Sequence, residues 1–154
     1  MKINELQPKP EIDVNVKSKE AYLQFEKLLI ALRKKDLPNS VVVYINKDIE
    51  ELNSFILIGA ELSNIVKKKQ ARIMQQLEKE HKIVSQYYYR NMWLAVGMAA
   101  FGIPLGVAIG ASLGNMAFLS FGLPVGLGIG VAVGTAKDKK AFREGRQLDL
   151  KIKN

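Results

Sequence analysis

The sequence predicts an all-α membrane protein: N-terminal cytoplasmic helices, a long connecting helix and a two-helix transmembrane hairpin. Three observations predict it. Residues 92–136 contain no Asp, Glu, Lys, Arg or His, and a helix crosses the hydrocarbon core with about 20 apolar residues, so this run can cross twice. Its glycines are ordered: Gly102, Gly106, Gly110 and Gly114 recur every fourth residue, as do Gly122, Gly126, Gly130 and Gly134. Ahead of the run, apolar residues recur at helical spacing. A mean hydropathy of +0.00 conceals this division, because it averages a charged front with an apolar back.

Residues 1–16 carry Pro8 and Pro10 without an apolar period and read as a flexible extended arm. Residues 17–90 read as a cytoplasmic helical domain and stalk. Its first helix begins near Ser18, with Tyr22, Phe25, Leu28, Leu29 and Leu32 on one face and Arg33-Lys34-Lys35 at its C-terminus. Pro38 interrupts it, and Ser40 is placed to cap a second helix carrying Ile45, Ile49 and Leu52. Val41 to Tyr44 alone would suit a strand, but no second strand is available to pair with it. A third stripe starts near Phe55 and includes Ile58, Leu62, Ile65, Ile73, Leu77 and Val84, interrupted only by Gly59. It reads as one long helix entering the first span without a break, the alternative being a turn at residues 81–85.

Residues 91–136 form the predicted hairpin, with spans at about 92–113 and 117–136 and a turn at Gly114-Asn115-Met116. The first span measures on the order of 33 Å at 1.5 Å per residue. Tyr88, Tyr89 and Trp93 stand where an interfacial aromatic belt is expected. Arg90 flanks the entry, and Lys137, Lys139, Lys140 and Arg143 flank the exit. Residues 137–154 form a basic tail with 7 Lys/Arg against 3 Asp/Glu. The link between the spans is uncharged, so the positive-inside rule places both termini in the cytoplasm. The N-terminus lacks the apolar core of an export signal, which suits an inner (plasma) membrane.

The spans are copies of one another. FGIPLGVAIGASLG from Phe101 overlies FGLPVGLGIGVAVG from Phe121, with Pro104 over Pro124. Each proline lacks an N–H and predicts a kink. Lipid offers no hydrophobic drive between helices, so small residues every fourth position serve close backbone approach. The ladders can close the two spans of one hairpin or join separate copies of the chain.

With no cysteine, disulfide, thiolate and thiol chemistry are excluded. His81 is the only histidine and reads as a solvated helix residue; no metal or cofactor is expected. Asp48, Glu50 and Glu51 beside Lys47 read as a charged helix surface. Lys67, Lys68, Lys69 and Arg72 form a basic stretch able to meet anionic headgroups. No phosphate-binding loop or nucleic-acid module is present. The repeated FGxPxGxxxGxxxG pattern, the basic exit and EGRQLDLKIK resemble small bacterial two-span glycine-zipper membrane proteins. That resemblance implies a hairpin that tends to self-associate and no substrate. The expected function is therefore non-enzymatic: an integral membrane protein that self-associates and offers residues 17–80 to a protein partner. The alternative is an oligomeric channel or membrane-permeabilising effector gated by the cytoplasmic domain.

Overall fold

The computed structural model describes residues 1–9, 16–54 and 60–152. Pro10, Phe55, Ile58 and Gly59, which enter the expectations above, lie outside them. The described residues are helical and carry no β-sheet. They form two compact units, residues 1–84 with 148–154, and residues 85–147.

The first unit holds α1 (Val16–Arg33), α2 (Asn39–Ser54) and α3 (Ala60–His81). The periodic residues become its core: Phe25, Leu28, Leu32, Ile45, Ile49 and Leu52 are fully buried, with Leu62, Ile73 and Leu77 almost so. Ser40 lies within the first turn of α2 instead of capping it; the carbonyl of Pro38 receives the N–H groups of Val41 and Val42. Val41 and Val42 are buried helix residues and not a strand.

Residues 1–9, expected as part of a flexible extended arm, carry no helix and are tied down. Two asparagines two turns apart on α2 read their backbone. Asn46 accepts from Asn4 N at 2.8 Å and donates to Lys2 O at 3.0 Å; Asn53 accepts from Gln7 N at 3.0 Å and donates to Glu5 O at 3.2 Å. Each side-chain amide supplies one donor and one acceptor, as a neighbouring β-strand would. The Tyr22 hydroxyl donates to Gln7 O, and burial pushes its pKa up to about 12.

The long continuous helix does not form. α3 stops at His81, where Lys82 turns left-handed (φ 55°) and its N–H returns to Glu78 O at 3.1 Å. This is a left-handed C-cap without glycine. Beyond the break Ile83 and Val84 are both buried, Ile83 in the core of this unit. The break frees Val84 O to receive the N–H of Leu148 at 2.8 Å. Leu148, expected in the basic tail, is 1% exposed in this same core.

The second unit holds α4 (Tyr88–Gly97), a π-turn (Met98–Gly102), α5 (Ile103–Ser112), a 3-10 turn (Met116–Phe118) and α6 (Leu119–Arg143). Its two continuous helical stretches, Tyr88–Ser112 and Met116–Arg143, are long and apolar enough to cross a membrane. Both are longer than the expected spans, and the start of the basic tail is about the last two turns of α6. Gly114 (φ 66°) makes the turn between them, and Asn115 Oδ1 caps the 3-10 turn by accepting from Ala117 N at 2.9 Å.

Candidate functional site

The interior of the second unit is made of backbone. The buried residues of its helices are Gly97, Gly102, Gly106, Gly110, Gly122, Gly126, Gly130 and Gly134, joined only by Asp138 and Ala141. The two helical stretches run antiparallel with glycine against glycine. A Cβ placed on Gly126 would stand 2.6 Å from the Cα of Gly102, and one on Gly122 would stand 2.7 Å from the Cα of Gly106. At Gly130 the neighbour is Leu94 Cα at 3.0 Å, and at Gly134 it is Arg90 N at 2.9 Å. Side chains have no space on either face.

Two glycines differ from expectation. Gly114 is not a packing residue: it forms the turn, and nothing lies within 4 Å of where its Cβ would be. Gly97 takes the fourth place on that side, its Cβ position 2.8 Å from Gly130 Cα. It precedes Gly102 by five residues, which in an α-helix would turn it about 140° off the face. The intervening π-turn turns it back toward the face, since i→i+5 bonding takes more residues per turn than the α-helix does. The N–H of Ile103 reaches Met98 O to make that bond. Pro104 directly follows that bond, so its missing N–H falls where the π-turn has already shifted the α-helical pairing. Pro124 lies inside α6, which continues past it to Arg143.

Turned outward are the large residues: Phe101, Ile103, Leu105, Val107, Phe121, Val125 and Val131 are all exposed. Such a continuous apolar surface is foreign to a water-soluble monomer.

At the other end, the base of the hairpin gathers the charged residues. Asp138, on α6, is buried and accepts from Tyr89 N and Arg90 N at 3.0 Å each. The first turn of α4 has no side-chain cap of its own, because Tyr87 before it is left-handed (φ 62°). Asp138 therefore satisfies two otherwise orphaned donors from across the hairpin and places a negative charge at the positive end of the α4 dipole. Lys137 lies over the rings of Trp93 (5.4 Å) and Tyr89 (5.9 Å), and Arg90 over Tyr87 (4.4 Å). Tyr88 and Tyr89 meet edge to face at 5.2 Å. Lys140 stands 3.9 Å from Glu144, whose carboxyl is held below the usual range by the adjoining Arg146. Arg90, Lys139 and Arg143 border a cavity of about 570 Å³ with Gln86, Tyr87, Thr135, Asp138, Phe142 and Gln147.

No family model, curated protein or solved structure matches this chain significantly.

The other candidate residues belong to the first unit. Lys69 is not free for headgroups: it donates to Asp48 Oδ1 at 2.7 Å and Glu51 Oε2 at 2.6 Å. Asp48 is thus no surface charge but buried, at 3% exposure. Burial alone would lower the Lys69 amine; the hydrogen bonds to Asp48 and Glu51 outweigh it and hold the amine above its ordinary value. The same contact holds Glu51 below the usual range. Arg72 covers the Tyr44 ring at 5.1 Å. His81 ends α3 with its Nε2 3.8 Å from Glu80, half-buried instead of solvated. Among the described residues no cluster of three or more His, Asp or Glu side chains could hold a metal.

These contacts give a test of the first unit. Lys69→Met leaves Asp48 buried and unpaired, and unfolding free energy is expected to fall by about 3 kcal/mol in urea titrations. Lys68→Met, at an exposed position, is expected to change it by less than about 0.5 kcal/mol. The elevated Lys69 contributes fully below the ordinary lysine value and is lost as pH rises through its folded value. The depressed Glu51 contributes above the ordinary glutamate value and is lost as pH falls through its folded one. Stability of this unit is therefore expected to be level through neutral pH and to fall at both extremes.

Proposed function

We propose that this chain is a non-enzymatic, two-span membrane anchor whose three-helix unit is the part that meets a protein partner in the cytoplasm. The observation that carries the reading is the hairpin itself: glycine backbone inside and large apolar side chains outside. Lipid is the one solvent in which that distribution is stable, because close van der Waals contact replaces the missing hydrophobic drive between helices. Both termini lie on the cytoplasmic side of an inner or plasma membrane, as the charge at the base and the uncharged turn require of the positive-inside rule. The tail from Lys137 and the entry at Arg90 form the cytoplasmic boundary.

The glycine faces are occupied within the chain, which supports an intramolecular zipper over self-association through those ladders. Contacts between copies would have to use the outer apolar faces or α1–α3. The same closeness leaves no lumen between α4–α5 and α6, so a conducting path would need several copies around a different surface. The anchor reading is therefore favoured over the channel.

Native mass spectrometry of the protein released from lipid nanodiscs tests this. A single copy, silent in liposome ion-flux assays, is the expected result. A closed ring of four or more copies that conducts ions would replace the anchor with a channel. Failure to enter nanodiscs at all would remove the membrane from the reading.

A further inference from the structure

The cavity at the base of the hairpin has a chemically one-sided lining. Arg90 comes from the first turn of α4, and Lys139 and Arg143 from the last turns of α6. Against these three cations the lining sets one carboxylate, Asp138, whose two oxygens are already engaged by backbone N–H groups; Glu144, outside the lining, is close enough to act on Arg143 but is paired with Arg146. Arg90, Lys139 and Arg143 form no ion pair among the described residues. The Nε of Arg90 is buried without a hydrogen-bond partner. That nitrogen is closed to solvent, so what the cavity offers an anion is the combined charge of Arg90, Lys139 and Arg143. Guanidinium groups suit phosphate oxygens in particular, through paired charge-assisted hydrogen bonds.

The position of the cavity selects among anions. Arg90 and Lys139 lie just outside the uncharged run of residues 92–136, at the level where the apolar surface of the hairpin ends. Its rim includes two exposed aromatic side chains, Tyr87 at 39% and Phe142 at 70%. That combination suits a molecule with a phosphate in the cavity and hydrocarbon beside it.

Building on the membrane-anchor reading, we propose that Arg90, Lys139 and Arg143 form a binding site for the phosphodiester headgroup of one anionic phospholipid. The lipid's acyl chains lie along the outer apolar face, and its phosphate neutralises the base of the hairpin. Free phosphate shares the headgroup's chemistry but gains nothing from that apolar face.

The test is native mass spectrometry from nanodiscs containing equal phosphatidylcholine and phosphatidylglycerol. One phosphatidylglycerol is expected to remain bound, with at least about tenfold preference over phosphatidylcholine. The double substitution Arg90→Gln/Arg143→Gln should abolish the preference, and Lys139→Gln alone should weaken it. Lys140→Gln, whose amine faces Glu144, should leave it intact; circular dichroism confirms that each variant is folded. Equal retention of the two lipids, or an equal loss in Lys140→Gln, would overturn the site. Inorganic phosphate added to phosphatidylcholine particles should not bind; if it fills the cavity as tightly, the occupant is a soluble anion and the lipid assignment falls. Entry into nanodiscs without lipid preference would refute this site alone, whereas failure to enter them would refute the anchor as well.

Discussion

Replacing Gly126 with leucine is expected to separate the two helices of the hairpin. The first carbon of the new side chain would already stand 2.6 Å from both the N and the Cα of Gly102. No rotamer avoids the overlap, because the clashing atom is Cβ and the neighbour is backbone. Overpacking a well-fitted interior costs about 1–3 kcal/mol when side chains can shift; here a whole helix must move, so the upper end or more is expected. Gly128→Leu is the matched control. It adds the same side chain two residues away, where nothing lies within 4 Å, and is expected to be neutral. Gly110, whose nearest neighbours would be 3.3 Å away, should tolerate alanine better than Gly122, Gly126 or Gly130. Since the chain contains no cysteine, two can be introduced on the outer faces of α5 and α6 for spin labelling. Distances should lengthen and broaden in Gly126→Leu and stay fixed in Gly128→Leu. An unchanged distance in Gly126→Leu would mean that the helices do not pack through these faces.

The second large effect is expected at Asp138. Alanine there leaves the N–H groups of Tyr89 and Arg90 without acceptors, and removes the charge that complements the start of α4. Charge-assisted hydrogen bonds contribute about 1.5–3 kcal/mol each, so loss of both should make local opening of the first turn at least about a hundredfold more frequent. Amide hydrogen exchange at residues 89 and 90 reads this directly. The substitution Asp138→Asn keeps a single acceptor oxygen, and its exchange rates should fall between those of the native chain and Asp138→Ala. Exchange that stays slow in Asp138→Ala would show that another group caps the helix.

The architecture was legible in the sequence where one period governed a whole segment. Tyr22 to Leu32 and Ile45 to Leu52 announced their buried faces because apolar spacing and the core coincide. The uncharged run announced two helices fit for a bilayer, because length and composition decide that property alone. Seven of the eight packing glycines were visible as four-residue steps. Gly97 was hidden because its five-residue step becomes regular only through the π-turn, a backbone choice that propensity does not mark. Gly114 fitted the step and still left the helix, since a turn also needs a left-handed residue. The break after His81 carries neither glycine nor proline; it is made by Lys82 taking a left-handed conformation, which composition does not mark. Asp138 was obscured among Lys137, Lys139 and Lys140, where a lone acid reads as one more solvated charge. Its signal was position: the single carboxylate in the last turns of α6, opposite a helix start that has no cap of its own. Lys69 and Asp48 were misread as surface for a related reason, since sequence shows charge but not pairing across helices.

The buried Leu148 also dictates a timetable. Its site in the core of the first unit is bounded by residues made early, yet translation reaches Leu148 only after all of residues 85–147. At about 5–20 residues per second, that interval is several seconds, whereas helices form within about a microsecond. The nascent three-helix unit must therefore wait with one core position open while the apolar hairpin is made. Only then does Leu148 arrive, and its N–H closes onto Val84. A unit held incomplete in this way matures after the hairpin and not before it, so a chain stalled at its turn would remain recognisable to quality control as unfinished.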